Sequence, residues 1–262
     1  VRRLELPPPF LGTTAAFAAA AGGRIVAPIA APNPPLRSFA ALPTPRAVTP
    51  ETSPMTFARP KRINGRVPVL TAEEAVKYIP DESTLCVLGA GGGILEATKL
   101  IEALAERYKT TQTPKNIGII SPTGLGDRAE RGISPIAQEG LVKWALCGHW
   151  GQSPRISELA EQNKIFAYNY PQGVLTQMLR ASAAHQPGIL SEIGLGTFVD
   201  PRNQGGKLND ITKEDLISLV NLEGKEYLYY KTVAPNVAFI RATTCDSEGY
   251  ATFEDEVMYL CL

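Results

Sequence analysis

A glutamine lies between a proline and a glycine where a predicted strand meets a predicted helix, in the segment Pro171-Gln172-Gly173. Its primary amide donates hydrogen bonds but neither ionises nor attacks a substrate. Gln172 could therefore stabilise an oxyanion without competing as a nucleophile, and Gly173 would leave room for a bulky ligand beside it. A glutamine in this place can also cap exposed backbone groups of the helix, and the spacing by itself favours that simpler role.

A second segment, GAGGG at residues 89–93, joins the predicted strand TLCVLG to a predicted helix that begins at Ile94. Glycines in this context let backbone N–H groups approach an anion at the helix N-terminus. However, G-x-G-x-x-G needs a glycine where Ile94 stands, and the Gly-Lys-Ser/Thr ending of a Walker A motif is missing. The spacing leaves a ligand loop and a plain turn equally open, and it argues against a nicotinamide cofactor.

Other catalytic and metal-binding patterns are missing from the sequence. Its histidines and cysteines are His149, His185, Cys86, Cys147, Cys245 and Cys261. They form no C-x-x-C or H-x-x-x-H cluster, which argues against a transition-metal site and for reduced thiols in a cytosolic protein. No G-x-S-x-G nucleophile elbow is present. Lysine plus arginine and aspartate plus glutamate both number 26, so no basic surplus indicates a nucleic-acid partner.

Local patterns predict the individual elements that would position these residues. Thr71 and Glu74 form a capping box at the start of the first helix, and Ser153 caps the helix SPRISELAEQN. The segment LVKWALCGHWG suits either a helix or a strand, and ITKEDLISLVNL looks partly helical. Aromatic and β-branched strands follow from EYLYYK onward. The carboxylates of FEDEVMY are expected at a solvated strand end.

Strands and helices alternate from Arg62 onward, which predicts the α/β class, with an open, mostly parallel sheet and helices on both faces. Ligands of such sheets bind beyond the carboxyl ends of the strands. Gln172 and the glycine segment each follow a predicted strand, so both are expected at this edge.

Residues 1–54 differ in composition from the rest of the chain and are predicted to be a disordered arm before a globular domain at 55–262. FLGTTAAFAAAAGG, which follows two arginines, could belong to a signal or transit peptide. It is too interrupted for a membrane span, and no membrane partner is expected. The third interpretation, which we favour, is that the segment lies upstream of the true start, because the first methionine is Met55.

Longer stretches resemble family I coenzyme A transferases. They include RINGRVPVLTAEEAVKYIPDESTLCVLGAGGGILEAT, SPTGLGDRAERGISPIAQEGLVKWALCGHWGQSPRI, YNYPQGVLTQ, GTFVDPR and IRATTCDSEGYATFEDEVMY. The resemblance is nearly continuous over about residues 60–260 and is strongest to the single-chain bacterial acetate/acetoacetyl-CoA and propionate-CoA transferases.

The resemblance implies the first of two similar α/β halves of an enzyme that moves CoA between a short-chain acyl-CoA and a short carboxylate. Gln172 would donate its amide to the thioester oxyanion, and Gly91, Gly92, Gly93 and Gly173 would contact CoA. Relatives often have Gly-Gly-Phe in the glycine turn, so this loop departs in detail. Coenzyme A would be a substrate, with no further cofactor. The complete enzyme is expected to be a cytoplasmic homo-oligomer of short-chain fatty acid and ketone body metabolism.

The resemblance places the nucleophilic glutamate in a Glu-x-Gly segment of the second half, and the chain ends at Leu262 before that half. In DSEGY, Glu248 precedes glycine directly and belongs to a turn of the first half, so we do not assign it as the nucleophile. We expect the chain alone to be inactive. Truncation or a frameshift is the favoured interpretation, and a separate β-subunit partner is the alternative. A non-catalytic acyl-CoA- or sugar-phosphate-binding domain of similar fold remains a competing hypothesis; a sugar-phosphate-binding domain would need a phosphate loop with fixed basic residues and no Pro-Gln-Gly turn.

Overall fold

The computed structural model describes residues 64–255. The predicted arm of residues 1–54, the exact start of the predicted domain and the apolar ending MYLCL lie outside the described residues, so the domain limits stay a prediction.

The described residues alternate between helices and strands along most of their length. In chain order they form α1 (Ala72–Ala75), β1 (Thr84–Val87), α2 (Thr98–Thr111), β2 (Ile117–Ser121), β3 (Val142–Cys147), α3 (Pro154–Glu161), β4 (Phe166–Asn169), α4 (Gln172–Ala183), β5 (Gly188–Ser191), β6 (Ile217–Leu222), β7 (Lys225–Lys231), β8 (Val237–Phe239), β9 (Thr244–Cys245) and β10 (Ala251–Thr252). The ambiguous segment LVKWALCGHWG forms strand β3. Among these residues, none of the helices is long and apolar enough to cross a membrane.

Five of these strands form the central sheet, in the order β4-β3-β2-β1-β8. All four neighbouring pairs are parallel, so their carboxyl ends meet at one edge of the sheet. This arrangement confirms the predicted α/β class and open parallel sheet.

The two faces of the parallel sheet are covered differently. Leu85 and Val87 of β1 point to the face that packs against α2 and α3, whereas Cys86 points to the other face. That second face packs against α4 and against a three-stranded antiparallel sheet in the order β5-β7-β6. Helices therefore lie on both faces, as predicted, and the antiparallel sheet is an addition that the sequence analysis did not predict.

The predicted partly helical character of residues 211–222 was wrong. Residues Ile217–Leu222 are strand β6, which pairs along its whole length with β7. Ile217 is buried opposite the buried Tyr230, and Leu219 lies opposite Leu228. Leu219 is nevertheless exposed, so the pairing with β7 and the burial of Ile217, and not an alternating burial pattern, mark this segment as a strand.

Two further predictions concerned helix ends, and one was confirmed. The N–H of Glu74 donates to Thr71 Oγ1 at 3.2 Å and the N–H of Thr71 donates to Glu74 Oε2 at 2.9 Å, which is the predicted capping box. Ser153 precedes α3 but does not cap it with its side chain. Its hydroxyl instead donates to the carbonyl of Leu125 at 2.5 Å and accepts the N–H of Ile133 at 3.2 Å.

Helix α2 begins at Thr98, four residues later than predicted. The carbonyl of Ile94 accepts the N–H of Ala90 at 2.7 Å, which closes a turn instead of opening a helix. Ile94 is exposed and Leu95 has a φ of 59°, so neither residue belongs to the apolar helix face that the sequence suggested. The glycine segment is thus part of a longer loop.

Candidate active site

Four loops leave the carboxyl edge of the parallel sheet and define the candidate site. We call residues 88–97, after β1, the glycine loop and residues 122–133, after β2, the second loop. Residues 148–153, after β3, are the third loop, and residues 170–171 lead from β4 into α4. Every residue that the sequence analysis predicted for the site lies in one of these loops or in the first turn of α4.

Gln172 is the first residue of α4 and its side chain is exposed. Pro171 is the N-cap residue, and no side chain caps this helix. Within residues 64–255 the side-chain amide of Gln172 makes no hydrogen bond, so it does not perform the capping role that the spacing favoured. The amide is free to donate to a ligand at the edge of the sheet.

Two glycines near Gln172, Gly148 and Gly173, have very different surroundings. A Cβ atom added to Gly148 would overlap the carbonyl oxygen of Pro122 and lie 3.1 Å from Gln172 Cα, so the ends of β2, β3 and β4 approach closely at Gly148. A Cβ added to Gly173 would meet no heavy atom within 4 Å. The predicted room for a ligand beside Gln172 is therefore present, although the contact itself stays a prediction.

The glycine loop uses its N–H groups within the protein. Gly92 and Gly93 have φ values of 80° and 86°, which favour glycine. The N–H of Gly92 donates to the carbonyl of Gly126 at 2.9 Å, and the N–H of Gly93 is directed at the Glu96 carboxylate. Since α2 also begins only at Thr98, these N–H groups are not arranged as an anion cradle at a helix N-terminus.

The contact of Gly91, Gly92 and Gly93 with CoA stays a prediction. The structure limits the atoms of these glycines that a ligand can reach. Gly92 and Gly93 border open space, whereas Gly91 packs against the side chain of Gln152. Any contact of Gly92 or Gly93 with a ligand would therefore involve its Cα or carbonyl surface.

The glycine loop and Gln172 follow strands that lie three positions apart in the sheet. Gly91 follows β1 and Gln172 follows β4, and β2 and β3 lie between these strands. Three strand spacings of about 4.8 Å separate the ends of β1 and β4 by roughly 14 Å. A ligand that spans both strand ends is therefore extended, with its reacting group near Gln172.

Glu96 was not predicted from the sequence, yet it connects two of the loops. Its side chain is 2% exposed, and its Oε1 accepts the N–H of Gly126 at 2.6 Å. Burial raises the pKa of Glu96, the charge of Asp127 raises it further, and the N–H groups of Gly126, Gly93 and Gly132 act in the opposite direction. The available signal was an acidic residue three positions after the last glycine of the segment, but the sequence analysis placed Glu96 within a predicted helix.

Replacing Glu96 with glutamine should change how stability depends on pH. The folded-state pKa is raised, so the contribution of this carboxyl group to stability is complete below its unfolded pKa and is lost as the pH rises through its folded pKa. Glu96→Gln removes this titration. Melting temperatures measured from pH 4 to pH 8 should therefore rise relative to wild type as the pH increases.

The exposed Glu102, which lies on α2, provides the matched control for that measurement. Glu102→Gln removes a carboxylate from the same part of the chain but leaves Glu96 in place. A pH dependence of the Glu96→Gln difference that is no larger than that of Glu102→Gln would contradict the assignment of a raised pKa to Glu96.

Two residues of the third loop also escaped prediction. The amide of Gln152 lies between Gly91 and Gly124, and the exposed His149 lies beside Gly124. The signal in the sequence was weak, because the third loop follows a segment that suited a helix and a strand equally.

Three possible nucleophiles can be set aside. Cys147 ends β3 close to the site, but burial raises the pKa of its thiol to about 12, so it is protonated at neutral pH. Glu192-Ile193-Gly194 also has the Glu-x-Gly order expected around the nucleophile. Glu192 follows β5 of the antiparallel sheet, is exposed and pairs with Lys225 at 2.6 Å. Glu248 lies exposed in the predicted turn between β9 and β10.

Two cavities lie next to helix α2. A cavity of about 530 Å³ adjoins the glycine loop and is lined by residues that include Glu96, Lys99 and Arg241. A cavity of about 800 Å³ lies along α1 and α2, away from the carboxyl edge. Among residues 64–255, no group of three or more His, Cys, Asp or Glu side chains could hold a metal ion.

The Pro-Gln-Gly turn and the glycine loop lie at the same edge of the parallel sheet, and their roles in CoA transfer stay predictions. The chain belongs to the coenzyme A transferase family: the sequence model described as Coenzyme A transferase matches residues 69–261.

Individual relatives show how much of a complete protein the chain represents. It is 83% identical to the acetate CoA-transferase YdiF of Escherichia coli (strain K12) over 206 residues. This aligned region covers 79% of this chain and 39% of that protein. The solved apoenzyme structure of an acyl-CoA transferase from Escherichia coli O157:H7 matches with a TM-score of 0.76 at 82% identity, over 77% of this chain and 39% of that chain. The chain thus spans about two fifths of the length of these relatives.

A shorter relative has a different organisation. The α subunit of the acetate CoA-transferase of Escherichia coli (strain K12) is 27% identical to this chain over 186 residues. The aligned region covers 71% of this chain and 74% of that subunit. The same region therefore occurs both within a long chain and as most of a separate subunit.

Proposed function

We propose that this chain is the first half of an enzyme that transfers CoA between a short-chain acyl-CoA and a short carboxylate. The observation that supports this most directly is the exposed amide of Gln172, which has no partner within the described residues and lies at the carboxyl edge of the sheet. Membership of the coenzyme A transferase family and the names of the relatives support the reaction class. Acetate is the carboxylate that we favour as an acceptor.

The chemistry assigned to this chain is the stabilisation of negative charge. A glutamate carboxylate of the second half attacks the thioester carbonyl, and the oxygen becomes an oxyanion to which the Gln172 amide donates a hydrogen bond. The bond from carbon to sulfur then breaks, CoA leaves as a thiolate, and an acyl-glutamyl anhydride remains. Return of the CoA thiolate forms glutamyl-CoA and releases the carboxylate, and an acceptor carboxylate reverses these steps.

The partner that the proposal requires is the second half, either fused or as a separate subunit. The relatives are consistent with both, since one is a long chain and another is an α subunit. Exposed apolar side chains are available for such a contact, among them Leu190, Phe198, Leu222 and Ile240. Assembly into a homo-oligomer and location in the cytoplasm belong to the same proposal.

The competing hypothesis of a sugar-phosphate-binding domain has weaker support. It requires a phosphate loop with available N–H groups, and those of Gly92 and Gly93 are directed at Gly126 and Glu96. The buried carboxylate of Glu96 beside this loop would also oppose a bound phosphate. We therefore favour CoA transfer.

We expect the chain alone to form no covalent adduct with acyl-CoA, because the nucleophilic glutamate is assigned to the second half. The chain is incubated with acetoacetyl-CoA, treated with borohydride and weighed by mass spectrometry. The same reaction is repeated after addition of the second half of the Escherichia coli acetate CoA-transferase. Turnover and a modified glutamate on the added half are expected only in the mixture.

The peptides that contain Glu192 and Glu248 serve as internal checks. A stoichiometric mass change on either glutamate in the chain alone would contradict the division of labour between the halves. A mixture that forms a stable complex but shows neither turnover nor adduct would contradict the proposed function. Thermal stabilisation of the chain by a sugar phosphate, and not by acyl-CoA, would favour the competing hypothesis.

A further inference from the structure

The third loop contains two buried polar atoms that lack hydrogen-bond partners. Within residues 64–255, Nε1 of Trp150 and Oε1 of Gln152 are both in this state, and Oγ1 of Thr232 is the one other such side-chain atom. Buried polar atoms without partners are rare in folded proteins. Two of them on one short loop at the edge of the candidate site require an explanation.

Gln152 is held in a space that only glycines can provide. A Cβ atom added to Gly91 would lie 2.8 Å from Cδ of Gln152, and one added to Gly124 would lie 3.0 Å from its Oε1. The carbonyl of Gln152 also accepts the N–H of Arg128 at 2.9 Å. The main chain of Gln152 is therefore tied to the second loop, and its amide rests between the glycine loop and the second loop.

The side-chain oxygen of Gln152 receives no hydrogen bond in its observed position. A buried acceptor without a donor loses its hydrogen bonds to water and receives none in return. A methionine has nearly the same length and could fill the space without that loss. The amide is therefore explained better by a ligand that supplies a donor than by a contribution to stability.

The position of Gln152 relative to Gln172 indicates what that donor is. The third loop follows β3, and β3 is the direct neighbour of β4, which leads to Gln172. Adjacent strands are about 4.8 Å apart. In an acyl-CoA, two methylene groups separate the thioester sulfur from the first amide N–H of the pantetheine arm, which is a similar span. A thioester at Gln172 therefore brings this N–H to the end of β3, where the third loop begins. The amide of Gln152 itself rests beside Gly91 and Gly124, so its side chain must turn to reach this N–H.

We propose that Gln152 is a substrate-binding residue whose side-chain oxygen accepts the N–H of the pantetheine amide nearest to the thioester. The side chain turns from its place between Gly91 and Gly124 toward the arm, while its main chain stays bonded to the second loop. The choice of the pantetheine arm rests on the proposed function, whereas the unpaired oxygen does not.

A stability measurement tests the first part of this proposal without any ligand. Gln152→Met should leave the melting temperature of the full chain unchanged or raise it, because no internal hydrogen bond is lost. The matched control is Gln138→Met, since Nε2 of Gln138 donates to the carbonyls of Pro135 at 2.8 Å and Ala105 at 3.3 Å. That control should lower the melting temperature. A similar decrease in Gln152→Met would show that Gln152 has a structural partner and would overturn the proposal.

A ligand pair tests the second part. S-acetyl-N-acetylcysteamine contains the amide N–H, and an analogue with an ester oxygen in its place lacks only that donor. Wild type should bind the amide compound about 3–10-fold more tightly than the ester, as expected for one neutral hydrogen bond. Gln152→Met should bind both equally. Titrations followed by NMR of the full chain give the four dissociation constants.

The outcomes separate the proposal from the function on which it rests. If wild type binds neither the thioesters nor acetyl-CoA but the chain combined with the second half shows turnover, the assignment of Gln152 fails while the proposed function stands; if binding and turnover are both absent, both fail. If wild type binds the thioesters and Gln152→Met keeps the same preference for the amide compound, the assignment of Gln152 fails while the proposed function stands. Loss of the preference without loss of stability supports the proposal.

Discussion

Gln172→Ala is expected to lower turnover by about 10²–10³-fold, which is the usual effect of removing one oxyanion donor. The measurement uses the chain combined with the second half of the Escherichia coli acetate CoA-transferase. The hydrogen bond from the amide strengthens only as negative charge develops on the thioester oxygen, so the affinity for CoA should change much less than the rate. Gln172→Glu should be slower still, because a carboxylate would face the oxyanion.

The same variants distinguish catalysis from helix capping. The Gln172 side chain is exposed and makes no hydrogen bond within the described residues, so its loss should change the free energy of unfolding by no more than about 0.5 kcal/mol. A lost cap would instead cost about 1 kcal/mol. Gln177→Ala, at an exposed position on the same helix, is the control for both measurements. A lower melting temperature with unchanged turnover would contradict the catalytic assignment.

Most of the parallel sheet could be predicted from the sequence because its signals are local. Short apolar segments such as TLCVLG and KNIGIISP are followed by polar loops and helices, and that order alone defines the α/β class. Strand β6 could not be predicted in the same way. The acidic residues Glu214 and Asp215 resemble the first turn of a helix, but pairing with β7 and burial of Ile217 decide the conformation.

The residues of the candidate site also fall into two groups, those that local sequence patterns predict and those that depend on contacts between loops. Gln172 was found because its proline, its glycine and the flanking strand and helix are neighbours in the sequence. Glu96 and Gln152 were missed because their partners lie in other loops, Gly126 for the first and Gly91 and Gly124 for the second. Contacts between loops depend on the strand order β4-β3-β2-β1, which local sequence patterns do not encode. The late start of α2 has the same origin, since the turn at Ile94 accommodates the buried Glu96.

Gly148, the first residue of the third loop, offers a further test of how the fold supports the site. Gly148→Ala should destabilise the protein by about 1–3 kcal/mol, because its Cβ would overlap the backbone oxygen of Pro122, which cannot rotate away as a side chain would. For a domain of this size the melting temperature should fall by roughly 2–12 °C, at about 2–4 °C per kcal/mol. Thermal unfolding of the full chain measures this change directly.

Gly173→Ala is the matched control, since a Cβ at that position meets no heavy atom within 4 Å and lies in the first turn of α4. It should be neutral or should stabilise the chain by up to about 1 kcal/mol, because alanine restricts the unfolded chain more than glycine does. The added methyl of Gly148→Ala would also lie 3.1 Å from Gln172 Cα, so the strand ends must separate and carry the amide away from the thioester. In the combined enzyme, turnover of Gly148→Ala should therefore fall even at temperatures where the variant remains folded. If Gly148→Ala and Gly173→Ala unfold at the same temperature, the close approach of β2, β3 and β4 at this edge is wrong, and so is the placement of Gln172 that depends on it.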